Sequence, residues 1–142
     1  MELRSVEFDS KEYRETVSLR DKILRKPLGM VFTPEFLARE AEDFHIAGYQ
    51  DGQMLCCLIL SPLNDIEVQM RQVAVDEGFQ GQGLGKQIAK YSEDFASEKG
   101  FTRMKVHARD VAVDFYLSMD YEIIDEAFTE VGIVHRRMIK QL

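Results

Sequence analysis

Four of the nine glycines lie within eight consecutive residues, between a stretch rich in β-branched residues and an amphipathic one. This segment covers residues 73–86 and reads VAVDEGFQGQGLGK. Glycine permits positive φ and close approach of a ligand to the backbone, and a following helix adds unpaired N–H groups at its positive end. The segment therefore predicts a site for phosphate or pyrophosphate between a strand and a helix.

Spacing excludes two familiar phosphate motifs. A dinucleotide fingerprint starting at Gly81 would have its third glycine, Gly85, one residue too early. A nucleotide P-loop over the same glycines is one residue short and has Gln87 where a hydroxyl is needed. The frame that begins at Gly78 has the right gap but places Leu84 where the lysine should be.

The spacing that fits is Q-x-x-G-x-G, formed by Gln80, Gly83 and Gly85. In its strand–loop–helix context it resembles the signature of the GNAT superfamily of acetyl-coenzyme A dependent acetyltransferases. That signature is a strand ending V-x-P, two residues, and then R/Q-G-x-G-I/L-G. Val75 matches the strand, whereas Glu77 stands where proline is usual.

Two further segments carry the resemblance towards the C-terminus. Residues 112–121 resemble the family's A-x-x-x-Y-x-x-x-G-F segment, with Tyr116 as its tyrosine. Asp120 stands where glycine is usual, which predicts a less tightly wound turn. Residues 128–138 resemble the E-x-G-I-x-H-x-x-M ending of the ElaA-type branch of small bacterial acetyltransferases.

The resemblance implies acetyl-coenzyme A as co-substrate. The strand of residues 73–75 would splay from the next strand, the pantetheine arm would lie in the gap, and the loop amides would hold the pyrophosphate. Arg109 stands where many members have an asparagine that faces the cofactor. The implied cofactor-binding residues are Val73, Ala74, Val75, Gln80, Gly81, Gln82, Gly83, Leu84, Gly85, Lys86, Arg109 and Ala112.

The implied reaction is direct attack of an acceptor amine on the thioester in a ternary complex, with Tyr116 giving a proton to the leaving thiolate. The general base stays open. Gln69 occupies the position where some members have a glutamate, and Glu67 lies too far back along the strand. The remaining candidates are Glu130, His135 and His107.

Basic residues mark a candidate acceptor site. Residues 20–26 hold four basic side chains in seven, so Arg20 or Arg25 is a candidate for holding an anionic acceptor, and Arg71 is a similar one. The full acceptor-site set is Arg25, Arg71, His107, Glu130 and His135. The acceptor itself, a small-molecule or peptide amine, is not identified. A degenerate coenzyme A-binding sensor or partner module, and a transferase of another acyl group, stay open as alternatives.

The spacing of apolar residues predicts the strands and helices that must position these residues. Alternating or continuous apolar stretches predict strands, and i, i+3, i+4 spacing between caps and breakers predicts helices. The result is an α/β fold with a mixed sheet of six or seven strands and about four helices. The predicted strands are 3–8, 44–50, 53–60, 66–75, 103–108, 121–128 and 133–139, and the helices are 11–26, 34–43, 84–100 and 110–119.

Length and composition set the outer limits. The 142 residues, 45% of them hydrophobic, predict one domain over 1–142. The net charge is −7, and the acidic excess is spread evenly along the chain with no basic domain, which disfavours binding of nucleic acid. The start lacks a secretory signal, and no apolar run approaches the roughly 20 residues of a membrane helix. Cys56 and Cys57 are adjacent and form no disulfide or metal motif, so we expect a cytoplasmic, metal-free protein. Homodimers are possible, since dimers are common for domains of the kind that the sequence resembles.

Overall fold

The computed structural model describes residues 1–142 and contains one open mixed sheet of eight strands. The strands are β1 (Glu2–Val6), β2 (Phe44–Gln50), β3 (Gln53–Pro62), β4 (Glu67–Val75), β5 (Arg103–Arg109), β6 (Glu122–Ile123), β7 (Phe128–Glu130) and β8 (Ile133–Gln141). Their order is β1-β2-β3-β4-β5-β8-β6, and β7 pairs with β8. The only parallel neighbours are β4 and β5. The predicted α/β class with a mixed sheet is confirmed.

Four α-helices complete the fold: α1 (Lys11–Arg20), α2 (Pro34–Ala38), α3 (Leu84–Glu98) and α4 (Val113–Leu117). Ser10 caps α1 by accepting a hydrogen bond from the Tyr13 amide, and Thr33 caps α2 in the same way from the Phe36 amide. Pro34 takes the first helical position, where its missing N–H is not needed. None of these helices has both the length and the apolar character needed to cross a bilayer.

The first helix departs from its predicted regular form. A π-helical turn, Asp21–Arg25, follows α1 directly, then a 3₁₀ turn, Lys26–Leu28, which ends at Gly29 with φ 69°. We call Asp21–Arg25 the π segment. Its hydrogen bonds join residues five apart, so Arg25 follows Arg20 at one π-helical turn.

The C-terminal third also differs from the predicted boundaries. The single strand expected over 121–128 is divided into β6 and β7, which raises the strand count to eight. Asp120 adopts the left-handed φ of 71° that glycine would take, and the Tyr121 amide donates to the Tyr116 carbonyl at 3.0 Å. The expectation of a looser turn there was wrong, because aspartate tolerates this conformation better than most residues.

The sheet is covered on both faces. A cluster of 17 buried residues, including Leu58, Ile88 and Met138, lies under α3 and α4. A smaller cluster of six, including Leu19 and Cys57, lies under α1. Cys56 belongs to the first cluster and Cys57 to the second, as alternation along β3 requires. Burial raises the pKa of the Cys56 thiol to about 11 and that of Cys57 to about 12.

The sheet opens at its parallel pair. Pairing of β4 with β5 covers only Glu67–Met70 against Arg103–Val106 and then stops. On its other side β4 carries a bulge, since the register moves from Ile59 opposite Arg71 to Cys57 opposite Ala74. Gln72 lies in this bulge with φ 52°. The predicted splay between the central strands is thus present, and β4 bends at that point.

Candidate active site

A cleft of about 660 Å³ occupies the opening between β4 and β5. The π segment and the loop before α2 form one wall, and the β7–β8 hairpin forms another. Nine residues predicted from the sequence line this single cleft, although they come from five separate parts of the chain. They are Arg25, Arg71, Val73, His107, Arg109, Ala112, Tyr116, Glu130 and His135.

The glycine loop lies beyond the end of β4, outside this lining. Gly81 and Gly83 have φ of 79° and 81°, and a Cβ at either position would meet no atom within 4 Å. Gly83 is the N-cap residue of α3. The backbone amides of residues 80–86 donate no hydrogen bond to any acceptor in the protein. Seven consecutive free amides at the start of a 15-residue helix fit a pyrophosphate.

Contacts with neighbouring elements hold the loop in place. The Gln80 side-chain amide donates to the Val75 carbonyl at 3.0 Å. Lys22 of the π segment donates to Asp76 at 2.8 Å. The side chains of Ala74 and Leu84 are buried in the core, so these two predicted residues can reach a ligand only through their backbone.

Tyr116 projects from α4 into the cleft. Its ring packs edge-on against Phe115 and Tyr121, with centroids 5.0 and 5.3 Å away. Its side chain is 8% exposed, and its hydroxyl forms no hydrogen bond within the protein. Burial raises the pKa of this hydroxyl to about 12. The hydroxyl is therefore a fixed, protonated donor with no internal acceptor.

The Glu130 carboxylate lies close to both candidate histidines. Its Oε2 lies 3.4 Å from His107 Nδ1 and 3.8 Å from His135 Nε2. Phe128 packs against both imidazoles, with ring centroids 5.1 and 5.7 Å away. Burial lowers the pKa of His107, and the neighbouring Glu130 carboxylate only partly opposes this. All three base candidates thus lie in one cluster at the cleft wall.

The turn of the β7–β8 hairpin positions Glu130. Val131 and Gly132 form the two-residue connection with φ of 47° and 74°, the signs of a type I′ turn. Glu130 pairs with Ile133 at its base, and His135 faces Phe128 across the strands. Glu130 therefore owes its place to the register of this hairpin.

The other two acidic or amide candidates on β4 have separate roles. Gln69 lines the cleft but has no carboxylate with which to accept a proton. Glu67 is bound to Arg103 at 3.2 Å and does not line the cleft. The expectation that Glu67 is too distant agrees with this placement.

Arg20 proves unable to bind an acceptor. It is completely buried, and its two terminal nitrogens donate to the two Glu40 oxygens at 2.8 and 2.9 Å. It also donates to Gln72 Oε1 at 3.0 Å, while the Tyr13 hydroxyl donates to Glu40 at 2.6 Å. This part of the expectation was wrong because the Arg20 side chain points into the protein and ties α1 to the 3₁₀ turn after α2 and to the β4 bulge.

Sequence reasoning missed the apolar wall of the cleft. One member lies in the π segment and the others follow it: Leu24, Leu28, Met30, Val31, Phe32 and Phe36. The available signal was the pair of phenylalanines on either side of the Thr33-Pro34 cap. Because that stretch lies between two short helices, its sequence alone did not show which surface it covers.

A mixed sheet that opens between its parallel strands, with a glycine-rich loop at the mouth, is typical of the GNAT class of acetyltransferase folds. The sequence profile of the family described as "Acetyltransferase (GNAT) domain" matches residues 28–142. The chain therefore belongs to the GNAT acetyltransferase family, as its motifs predicted.

Comparison with individual proteins finds partial matches among curated sequences. The uncharacterized protein YyaT of Bacillus subtilis (strain 168) is 32% identical over 74 residues. This match covers 52% of the chain and 50% of YyaT, so the chain spans about half the length of the curated relatives it matches.

Solved structures are similar over the whole chain. A Lactobacillus plantarum protein provisionally described as an N-acetyltransferase has a TM-score of 0.87 at 23% identity, over 100% of this chain and 99% of that one. Escherichia coli ElaA has a TM-score of 0.80 at 17% identity, over 98% of each chain. A GNAT family acetyltransferase from Elizabethkingia anophelis, with acetyl-CoA bound, has a TM-score of 0.74 at 16% identity. The match covers 99% of this chain and 97% of that one. These likenesses show the fold.

Proposed function

We propose that this chain is an N-acetyltransferase that moves an acetyl group from acetyl-coenzyme A to a primary amine. The observation that carries the proposal is the adjacency of seven free loop amides to a cleft that contains Tyr116 and Glu130. Family membership supports acyl transfer, and the E. anophelis neighbour binds acetyl-CoA. The acceptor approaches from the side of the π segment and the hairpin.

The residues present fit coenzyme A in two places. The amides of residues 80–86 and the start of α3 hold the pyrophosphate, without any requirement for net positive charge. The free edge of β4 at Val73 and Val75 offers backbone groups to the pantetheine arm. When bound, the thioester supplies an activated acyl group.

Tyr116 is the proposed acid. Because burial raises its pKa to about 12, the hydroxyl stays protonated throughout the neutral range. It has no internal acceptor that would compete with a thiolate leaving group. A hydroxyl held at the cleft wall can donate its proton to sulfur as the carbon–sulfur bond breaks.

The proposed base is His135 together with Glu130. His135 Nδ1 lies 2.7 Å from the Ile133 carbonyl, an acceptor, so Nδ1 carries the proton in the neutral ring. Nε2 is then the proton acceptor, and it faces the Glu130 carboxylate. The carboxylate stabilises the imidazolium that forms when the acceptor ammonium loses its proton.

The test is release of free thiol from acetyl-coenzyme A with a panel of amines, using Tyr116→Phe as the central variant. We expect kcat to fall by about 10²–10⁴-fold, with the Kd for coenzyme A within about threefold, because only proton transfer is removed. Tyr91→Phe is the matched control, since Tyr91 lies on α3 outside the cleft, and it should keep wild-type kcat.

Two results would count against the proposal. Unchanged kcat in Tyr116→Phe would remove the tyrosine from the mechanism. Binding of coenzyme A without thiol release for any amine would indicate a binding module instead. If only longer acyl-coenzyme A esters react, the activity is acyl transfer without the acetyl assignment.

A further inference from the structure

The arginines of the cleft are unpaired in a chain that has excess acid. The net charge is −7, yet none of the 11 salt bridges involves Arg25, Arg71 or Arg109. The only hydrogen-bond contact of the Arg25 side chain is with the Met30 sulfur, at 3.8 Å, and that of Arg71 is with the Ser61 hydroxyl, at 3.3 Å. Such side chains retain most of their hydrogen-bonding capacity for a ligand.

Arg25 is held in a defined position despite having no acidic partner. Its guanidinium lies over Phe32 and Phe36, 4.7 and 4.9 Å from their ring centroids. Stacking of this kind orients the planar fork and limits its rotamers. The π segment places Arg25 at the cleft, one π-helical turn beyond the buried Arg20. The fork is thus organised before any ligand arrives.

Like charges accumulate around Arg25. Burial is the largest influence that lowers its pKa, followed by the nearby cations Arg20 and Arg71, and the Glu40 carboxylate that pairs with Arg20 opposes them. Glu130 is the only carboxylate that lines the cleft, and it lies on the opposite hairpin beside two histidines. Arg71 opposes the burial that raises the pKa of Asp43, but the two side chains form no ion pair within 4.0 Å. An oxyanion between the two guanidiniums would relieve their repulsion.

We propose that the acceptor is an amine that also carries an oxyanion, a carboxylate or a phosphate, bound jointly by Arg25 and Arg71. The proposal rests on the amine-acetyltransferase function above and adds the class of acceptor. The apolar wall formed by Leu24, Leu28 and Phe32 suits an aliphatic or aromatic body between the two polar groups.

This oxyanion site is distinct from the glycine loop. Arg71 precedes Val75 by four residues on β4, with the Gln72 bulge between them, and the loop amides lie beyond Val75. Arg25 lies in the π segment and forms no salt bridge or hydrogen bond with a residue of the glycine loop. Removal of either arginine should therefore leave coenzyme A binding intact.

The test measures binding rather than turnover. The probes are N-acetyl-leucine, its phosphonate analogue and its carboxamide, titrated calorimetrically into the protein saturated with coenzyme A. We expect at least one anionic probe to bind at least about tenfold more tightly than the neutral carboxamide, as charge-assisted hydrogen bonds imply. Whichever anion binds more tightly, the carboxylate or the phosphonate, identifies the kind of oxyanion that the site prefers.

The variants are Arg25→Gln and Arg71→Gln, with Arg39→Gln as the matched control. Arg39 is exposed on the 3₁₀ turn after α2 and does not line the cleft. Each cleft variant should reduce the anion preference to below about threefold while its Kd for coenzyme A stays at the wild-type value, which also shows that it folds. Arg39→Gln should keep the full preference.

Equal binding of the carboxamide overturns the proposal, as does an anion preference that survives both cleft substitutions or no binding of either anion at 10 mM. Failure of the acetyltransferase function would look different. There, the anion preference and its loss in the variants would persist, but no amine would release thiol from acetyl-coenzyme A.

Discussion

At the residue scale, the buried pair of Arg20 and Glu40 ties α1 to the 3₁₀ turn after α2. Burial alone would raise the pKa of Glu40, but hydrogen bonds from Arg20 and Tyr13 outweigh it and hold the pKa below its usual range. His45 adds a contact through the Glu40 carbonyl at 2.9 Å. A pair of this kind gives little net stability against apolar replacements, but the loss of one partner leaves a buried charge uncompensated.

We therefore expect Arg20→Met to lower the free energy of unfolding by about 3–5 kcal/mol, measured by urea titration at pH 7. The matched control is Arg103→Met, which removes the partly exposed ion pair with Glu67 and should cost at most about 1 kcal/mol. Similar losses for the two variants would contradict a special role for Arg20.

The stability difference between wild type and Arg20→Met should depend on pH in a defined direction. Because the folded pKa of Glu40 lies below its unfolded value, the carboxylate stabilises the native state above the unfolded pKa. This contribution disappears as pH falls through the folded pKa. The difference between wild type and Arg20→Met should therefore shrink at acid pH, below about 4.5.

At the element scale, the sequence predicted the features that depend on residues close together in the chain. The Asp51-Gly52 hairpin, the Thr33-Pro34 cap and the loop before α3 each follow from residue types within a few positions. The family motifs placed Tyr116 and His135 at the cleft in the same local way. The fold class followed from the order of these elements.

The features that escaped prediction depend on distant partners. The left-handed Gln72 at the β4 bulge is held by a hydrogen bond from Arg20, 52 residues earlier. Arg20 itself was predicted to be a candidate for holding an acceptor, since its partner, Glu40, is 20 residues away with no helical spacing to suggest contact. The π segment likewise has no distinctive composition, and it alone brings Arg25 to the cleft.

The β7–β8 turn carries avoidable strain. Val131 is β-branched and has φ 47°, a conformation that favours asparagine or glycine. Val131→Asn creates the preferred Asn-Gly pair of a type I′ turn and should raise the free energy of unfolding by about 1 kcal/mol, measured by urea titration. Val134→Asn, at an exposed extended position of β8, should give no gain. Equal effects of the two changes would mean that the gain comes from lost surface hydrophobicity.

At the scale of the whole molecule, the two faces of the sheet are unequally packed. The face under α3 and α4 has a contiguous apolar core, and α3 alone buries six residues. The face under α1 has a smaller apolar cluster, next to the Arg20–Glu40 pair. The face that carries α3 is therefore expected to be the more rigid one, and the face that carries α1 and the π segment the more easily opened.

Hydrogen exchange followed by mass spectrometry measures this asymmetry directly. Because opening free energies follow the local apolar burial, we expect α1 and the π segment to exchange at least about tenfold faster than α3 in the wild-type protein. Arg20→Met should increase exchange in α1 further and leave α3 unchanged, since the substitution loosens only the face that it belongs to. Equal protection of α1 and α3, or a uniform increase in the variant, would mean that the two faces unfold as one cooperative unit.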